Sequence, residues 1–276
     1  MSNNIGSSKF QVIMSDGIGS LERLEVFGND LTVVNAARVS FAKESSEMAK
    51  GDEGLIRYLA RNNHISPFFH PQIRFRIKMP IFVAREWFRH TIGLSRNEVS
   101  RRYVDFTPEC WIPVTGMRER DPKLKQGSKL TMHPNSNTLI GEWSAMQKQI
   151  VAFYEKLLAD GVAPEVARGI LPQSMYTEFI ETGSLYAYAR ICLLRLDPHA
   201  QKEIQDYAQA VYDSLVSQFP VSWAALMASL TSNAPAPAPA PTPEPTPAPT
   251  PAPTPAPPTT PLNEYPNMSH LNHWGC

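Results

Sequence analysis

The spacing of apolar and polar residues predicts several β-strands in this chain. The predicted strands cover residues 12–14, 21–27, 72–79 and 175–182. The third alternates strictly, with Ile73 and Phe75 on one side and Arg74 and Arg76 on the other. Such alternation is typical of a strand with one buried face and one face in water.

Apolar residues that recur every three to four positions predict helices. The predicted helices cover residues 30–39, 54–61, 81–90, 139–159, 164–172, 184–194, 198–215 and 222–230. Asp30 and Asp197 are expected to be N-caps, and Pro80 and Pro198 suit a first helical turn. Residues 93–103 are polar and predict an irregular loop. The sum is an α+β fold in which helices dominate the second half.

Fourteen of the 26 prolines lie in residues 235–261. Each proline removes a backbone donor and fixes φ, so we expect an extended, disordered polyproline II tail there. We therefore expect the chain to have three parts: a folded domain at residues 1–233, a Pro-rich linker at 234–261 and a short segment at 262–276. The tail is either a solvated spacer or a tether that presents the last segment to another protein.

Charge and cysteine content narrow the class of protein. The chain has 26 basic and 26 acidic residues, which argues against a nucleic-acid partner and favours small substrates. Cys110, Cys192 and Cys276 are widely spaced, and the polar start has no signal-like character, so we expect the reducing cytoplasm. No apolar run approaches the roughly 18–20 residues of a membrane span.

Residues 85–103 hold five arginines and no lysine: Arg85, Arg89, Arg96, Arg101 and Arg102. Guanidinium groups match phosphate, carboxylate and the two-acceptor edge of a pyrimidine, whereas lysine offers a point charge. An Arg-rich, salt-bridged surface or subunit interface is the alternative interpretation.

The segment at residues 89–103, RHTIGLSRNEVSRRY, resembles the signature of flavin-dependent thymidylate synthases. The resemblance extends over about residues 10–220, through residues 28–30, 36–41, 64–70, 80–85, 165–168, 171–172 and 194–201. Thr91 stands where the family has a second arginine, and Glu86 where many members have glutamine. The stretch from Arg89 to Ser100 is one residue longer than usual.

The resemblance implies a fold, an activity and an assembly. The fold is α+β, an antiparallel sheet with helices. The activity is reductive methylation of dUMP to dTMP, with methylenetetrahydrofolate as carbon donor and NADPH-reduced FAD as hydride source. Family members are homotetramers with active sites between subunits, and symmetric assembly is therefore expected.

The resemblance also implies site residues. Arg195 is the expected catalytic residue, because a guanidinium aimed at the uracil edge favours the N3-deprotonated form. The expected substrate-binding residues are Glu86, Arg89, Glu98, Ser100, Arg101, Arg102, Arg168 and Arg195. The expected flavin-binding residues are His64, Ser66, Arg89, His90, Thr91, Glu98, Arg190 and His199.

Other chemistries fit the residues less well. His64 and His70 could form a metal pair, yet no third ligand follows at suitable spacing, so no metal is expected. Ser100 could be a nucleophile, but it lacks a Gly-x-Ser-x-Gly elbow. No cysteine stands in the Pro-Cys-His context of a thiolate-dependent synthase, and Cys110 and Cys192 suit buried packing positions. No Gly-x-Gly-x-x-Gly follows a strand, so arginines would replace a glycine-rich phosphate cradle.

Two further functions remain open at this stage. One is a same-fold enzyme that gives another C5-modified pyrimidine nucleotide. The other is a non-catalytic nucleotide- or flavin-binding protein that works through its tail.

Overall fold

The computed structural model describes residues 10–104, 106–123 and 127–232. The predictions for the linker at 234–261 and for the segment at 262–276 lie outside the described residues. No helix in the described part is long and apolar enough to cross a membrane.

The described part contains seven strands. They are β1 (Phe10–Ile13), β2 (Ser20–Phe27), β3 (Gln72–Pro80), β4 (Leu94–Glu98), β5 (Arg118–Arg120), β6 (Ser128–Met132) and β7 (Tyr176–Ser184). Four of these were predicted. The irregular loop predicted at residues 93–103 is wrong in its first half, because β4 pairs with β7 there. The polar composition of β4 gave no strand signal, since an edge strand needs little apolar surface.

The described residues also contain eight α-helices. They are α1 (Asp30–Arg38), α2 (Asp52–Arg61), α3 (Ile81–Trp87), α4 (Ser136–Ala159), α5 (Pro164–Ala167), α6 (Leu185–Arg195), α7 (Lys202–Val216) and α8 (Pro220–Ser232). Short 3-10 turns follow α1 and α5, and another covers Ser66–Phe69. The prediction that a helix runs to His90 is wrong, because α3 ends at Trp87.

Three predicted helix starts are corrected by the structure. Asn29 is the N-cap of α1, and its side chain accepts from the backbone N–H of Thr32. Pro80 is the last residue of β3 and precedes α3 rather than entering it. Asp197 and Pro198 lie in a turn before α7, whose N-cap is Gln201.

Asp30 does cap a helix, but a different one. Its two carboxylate oxygens accept from the backbone N–H groups of Val221 and Ser222, at 2.9 and 2.8 Å. These amides lie in the first turn of α8, where N–H groups have no partner within the helix. Asp30 is 7% exposed, so a buried carboxylate joins α1 to α8.

Five strands form one antiparallel sheet in the order β1-β2-β3-β7-β4. The apolar residues of β3 are fully buried, as the alternation predicts, and belong to the same core cluster as buried residues of α6, α7 and α8. On the opposite face Arg74 pairs with Glu25 across 2.9 Å, and Arg76 pairs with Glu22. An α+β fold with an antiparallel sheet is thereby confirmed.

Helix α4 carries an apolar stripe on its outside. Its members are Leu139, Trp143, Met146, Ile150, Phe153 and Leu157. Met146 is 58% exposed and Phe153 48%, whereas Gln147 and Tyr154 face inward. Gln147 donates to the carbonyl of Trp111 and to the hydroxyl of Ser174. Leu139, Ile150 and Leu157 are half-buried, so the regular pattern that identified α4 marks a face that the described residues cover only in part.

Candidate functional site

Arg195 is held by two residues from the end of α3. Its Nε donates to Nε2 of His90 at 3.0 Å, and its Nη2 donates to the backbone carbonyl of Glu86 at 2.9 Å. Its Nη1 lies 3.4 Å from the Glu86 carboxylate. The carbonyl is free to accept because the last carbonyls of a helix have no partner within it. Arg195 also places a positive charge at this negative helix end.

His90 is neutral in this arrangement. Burial, together with the charges of Arg195, Arg96 and Arg190, lowers its pKa to about 4. A neutral ring accepts at Nε2 only if its proton sits on Nδ1. Glu86 and His90 thus share a contact with Arg195.

A buried ion pair lies behind His90. Arg96 on β4 contacts the Glu181 carboxylate on β7, its direct neighbour across the strands. Glu181 is fully buried and also accepts from the indole N–H of Trp87, at 3.2 and 3.3 Å. Burial raises the pKa of Glu181, and the charge of Arg96 opposes that effect. Arg96 also donates to the backbone carbonyl of His90 at 2.6 Å.

The Arg195 cluster opens on a cleft of about 1480 Å³. Glu86, Arg89, Arg195 and His199 all line this cleft, so the structure brings these four predicted residues to one cavity. The lining also includes the apolar side chains of Trp111, Leu130 and Met132, and Arg118 and Glu203, which are bonded to each other. Apolar walls with a few polar groups are typical of a small-molecule site.

His199 lies on the rim of this cleft. It is in the turn before α7, and its side chain is 80% exposed. Its Nδ1 and its backbone N–H both contact Oδ1 of Asp197, at 2.9 and 2.7 Å. These bonds lower the pKa of Asp197. The ring is oriented from one side, and its Nε2 remains available to a ligand.

Three of the predicted phosphate-binding residues, Ser100, Arg101 and Arg102, lie in the turn after β4, and Arg168 lies in the 3-10 turn after α5. Ser100 begins a turn in which its hydroxyl accepts from the backbone N–H of Arg102. Arg102 and Arg168 are exposed, whereas Arg101 is buried, donates to the carbonyl of Phe106 and stacks on its ring. Burial lowers the pKa of Arg101. Arg101 is thus used internally, and Arg102 is the arginine that this turn offers to solvent.

Glu98 occupies the end of β4 beside this turn. Its Oε1 accepts from the hydroxyl of Thr177 at 2.5 Å. The strand register puts Glu98 opposite Phe179, on the same face as Arg96. Glu98 therefore stands between the Arg96–Glu181 pair and the Ser100 turn.

The remaining predicted flavin-binding residues are spread over three elements. His64 and Ser66 lie at the 3-10 turn before β3, and His64 stacks edge-on against Tyr58. Thr91 is exposed in the loop after α3, and Arg190 lies on α6 near His90. Neither the His64 turn nor the Ser100 turn lines the cleft. Within one chain the predicted residues are thus not all gathered at the cleft.

Several of these cations are unpaired. Among the described residues, the guanidinium groups of Arg89, Arg168 and Arg190 have no hydrogen-bond or ion-pair partner. An unpaired, accessible guanidinium is a ready ligand for phosphate or carboxylate oxygens. The arrangement can therefore bind anionic ligands from more than one side.

Sequence reasoning missed Glu181, Trp87 and the role of Arg96. The available signal was a glutamate at an inward position of the strand at residues 175–182, where the other inward residues are apolar or small. Of the two cysteines described, Cys192 is buried as expected, whereas Cys110 is only half-buried. The described residues contain no cluster of three or more His, Cys, Asp or Glu residues suited to a metal ion.

Several known proteins are similar in sequence to this chain. Residues 24–221 match the family model described as thymidylate synthase complementing protein. The chain is 41% identical to the flavin-dependent thymidylate synthase of Kosmotoga olearia and 39% identical to that of Thermotoga neapolitana. The alignments cover 76% of this chain in both cases and 90% and 91% of those proteins.

A solved structure gives the same result for the fold. The chain resembles the UMP/dUMP methylase PolB from Streptomyces cacaoi bound with 5-Br dUMP, with a TM-score of 0.67 and 31% identity. The match covers 75% of this chain and 94% of that one.

Proposed function

This chain belongs to the flavin-dependent thymidylate synthase family, and we propose that it methylates dUMP to dTMP. Methylenetetrahydrofolate is the carbon donor and NADPH the reductant. The observation that carries the proposal is the Arg195 cluster, in which neutral His90 and the Glu86 carbonyl hold one guanidinium in the wall of a large cleft.

Arg195 is the proposed catalytic residue. Its guanidinium contacts the uracil edge and stabilises the negative charge that develops there when C5 becomes nucleophilic. Its hydrogen bonds to His90 and Glu86 fix its direction before substrate binds. Such preorganisation costs no rearrangement during the reaction.

The proposed nucleotide-phosphate site consists of Ser100, Arg102 and Arg168, with Arg101, Glu98, Glu86 and Arg89 around the nucleotide. A short hydroxyl and two exposed guanidinium groups suit a phosphate dianion. Arg101 supports the turn from inside, since its guanidinium is already bonded to Phe106.

The proposed FAD site uses His64, Ser66, Arg89, His90, Thr91, Glu98, Arg190 and His199. This donor set fits a flavin dinucleotide, because unpaired arginines match its phosphates and short polar groups match its ring edge. When bound, reduced FAD supplies a hydride, which agrees with the lack of a thiolate nucleophile. Cys192 is buried, and burial raises its pKa further above the physiological range.

We propose that the complete site forms between subunits of a homotetramer. Neither the Ser100 turn nor the His64 turn lines the cleft of its own chain, and a site between subunits would bring such groups together. The apolar stripe of α4 gives such an assembly a contact surface. Large exposed apolar faces are typical of subunit interfaces.

A second substrate is favoured by one comparison, since the similar Streptomyces cacaoi enzyme carries the name UMP/dUMP methylase. UMP is therefore the alternative nucleotide for this chain.

For the residues after the folded domain, we propose that 234–261 is a spacer and that 262–276 takes no part in turnover. We also propose a cytoplasmic location, which agrees with the unpaired thiols of Cys110 and Cys192.

The decisive experiment uses the purified full-length chain. We expect it to retain flavin absorbance and to convert dUMP to dTMP when methylenetetrahydrofolate and NADPH are both present, as followed by mass spectrometry. A parallel reaction with UMP separates the two nucleotides, and product mass identifies any other C5 modification. A colourless protein that forms no methylated nucleotide would contradict the proposal.

A further inference from the structure

Arg96 belongs to the Arg-rich segment, yet none of the proposed ligand-binding roles uses it. We propose that Arg96, held by Glu181, is a positioning residue that fixes the His90 backbone and, through the His90 ring, the direction of the Arg195 guanidinium. The inference deepens the proposed function and rests on it for its kinetic test.

The first step is the contact between Glu181 and Arg96, which holds the arginine in place. Glu181 is fully buried and is held by Arg96 on one side and by the Trp87 indole on the other. The Arg96 guanidinium also lies 5.1 Å from the ring centroid of Phe88, which packs edge-on against Phe179. The carboxylate and the aromatic ring together leave the guanidinium one orientation.

In the second step, the Arg96 guanidinium contacts the loop between α3 and β4. While its Nε faces Glu181, its Nη2 donates to the His90 carbonyl at 2.6 Å. From His90 on, this loop has three other backbone hydrogen bonds among the described residues: His90 N–H to the Trp87 carbonyl at 3.1 Å, Leu94 N–H to the Thr91 carbonyl at 3.4 Å and Ser184 N–H to the Gly93 carbonyl at 3.1 Å. None of these bonds uses the His90 carbonyl, where Arg96 supplies a charge-assisted bond.

The third step is transmission to Arg195. The imidazole of His90 accepts from Arg195 at 3.0 Å, so any displacement of the loop moves the acceptor that aims this guanidinium. The charged groups facing the ring are Arg195, Arg96 and Arg190, and the ring stays neutral among them. The contacts therefore run without a gap from Glu181 through Arg96 and His90 to Arg195.

A positioning role also explains why a charge pair occupies this place. A buried ion pair gives little net stability compared with apolar residues of the same volume, because both charges lose their water. The pair instead provides a fixed geometry, because only a planar guanidinium can contact the Glu181 carboxylate and the His90 carbonyl at the same time. A lysine has the charge but a single donor centre.

The test compares Arg96→Lys with Arg74→Lys in the full-length enzyme. Arg74 is a matched control, because it also forms a cross-strand ion pair in the same sheet but on the face opposite the site. We expect Arg96→Lys to lower kcat/KM for dUMP by about 10- to 100-fold, since a displacement of about 1 Å at a catalytic group costs that much. Arg74→Lys should leave it unchanged.

A double-mutant cycle separates positioning from a general structural effect. If Arg96 acts through Arg195, the loss caused by Arg96→Lys should largely vanish in an Arg195→Lys background. A loss of the same size in both backgrounds, or a value within about 2-fold of wild type, would overturn the proposal. Glu181→Gln, which keeps the shape and an acceptor for Trp87, replaces Arg96→Lys if that variant does not fold.

A second measurement does not depend on catalysis. The titration of the His90 ring, followed by NMR in the ligand-free protein, should shift upward from about 4 in Arg96→Lys as the ring leaves Arg195 and gains water. An unshifted His90 titration would contradict the positioning role. A wild-type enzyme inactive on dUMP would contradict the proposed function, and the His90 titration would still decide the role of Arg96.

Discussion

Arg195 and His90 are joined by a 3.0 Å hydrogen bond in which the arginine donates and the imidazole accepts. The bond requires a neutral histidine, and the positive charges around the ring, together with its burial, keep it neutral. Because His90 is neutral, this hydrogen bond takes none of the guanidinium charge. The Glu86 carboxylate, 3.4 Å from Nη1, does share that charge with a ligand.

Replacement of Arg195 by lysine should reduce activity strongly. Lysine keeps the charge but cannot reach His90 and the Glu86 carbonyl together, so we expect kcat/KM for dUMP to fall about 10²- to 10³-fold. Steady-state dTMP formation measures the effect. Arg57→Lys, in an exposed pair with Glu53 on α2, serves as control and should behave as wild type. A normal rate in Arg195→Lys would rule out the catalytic role.

His90 should make folding stability depend on pH. Its pKa is about 4 in the folded chain and near its ordinary value of about 6.5 when unfolded, so only the unfolded chain takes up a proton between those values. Stability should therefore fall as the pH drops from 6.5 toward 4, and this contribution should be flat above 7. Tm measured across this range should show a shallower decline for His90→Gln.

The control for this comparison is His70→Gln, at an exposed position. We expect its Tm to follow that of the wild type at every pH. Parallel pH profiles for His90→Gln and the wild type would show that His90 is not a depressed titrating group.

Charge on the α4 stripe should break the proposed assembly. Met146→Glu and Phe153→Glu place a carboxylate on the exposed apolar face, and burying it in a subunit contact is costly. We expect a smaller molar mass by light scattering and a parallel loss of turnover. Lys148→Glu changes a charge at another exposed position of α4 and should alter neither. A wild-type chain that turns over as a monomer would refute the assembly.

Asp30 should matter more to stability than its polar character suggests. Asp30→Ala leaves the Val221 and Ser222 amides unpaired at a buried helix start, with an expected cost of about 1–3 kcal/mol in the free energy of unfolding. Urea unfolding measures it. Asp213→Ala, at an exposed site bonded to Gln209, should change stability by less than about 0.5 kcal/mol. Equal effects would exclude a special role for Asp30.

Removal of residues 234–276 should leave turnover unchanged. Every residue proposed to bind nucleotide or flavin precedes position 200, and α8 ends at Ser232. The measurement is kcat and KM of the shortened chain against the full one under identical conditions. A lower kcat at equal folded fraction would show that the tail takes part in the reaction.

The sequence predicted the elements whose own residues determine them. Strict alternation identified β3 with its buried and wet faces, and the regular period identified α4. The Arg-rich segment and the family resemblance indicated the region around Arg195. These features follow from local pattern and require no knowledge of distant residues.

The missed features depend on residues far away in the chain. The edge strand β4 is polar, and only its pairing with β7 makes it a strand. Helix α3 ends early, and Arg195 from α6 then binds the carbonyl that this end exposes. Asp30 caps α8 instead of its own helix because α8 packs against α1. The Glu181 carboxylate can bind Arg96 and Trp87 only after β4 and α3 have packed beside β7.

The pairing of β4 with β7 also determines when the site can form during folding. The Arg96–Glu181 contact joins residues 85 positions apart, and the His90–Arg195 bond joins residues 105 apart. Contacts of such high sequence separation form only after the entropy of closing a long loop has been lost. We therefore expect nucleotide binding to appear late in refolding, after the β1–β2 hairpin and the individual helices are in place.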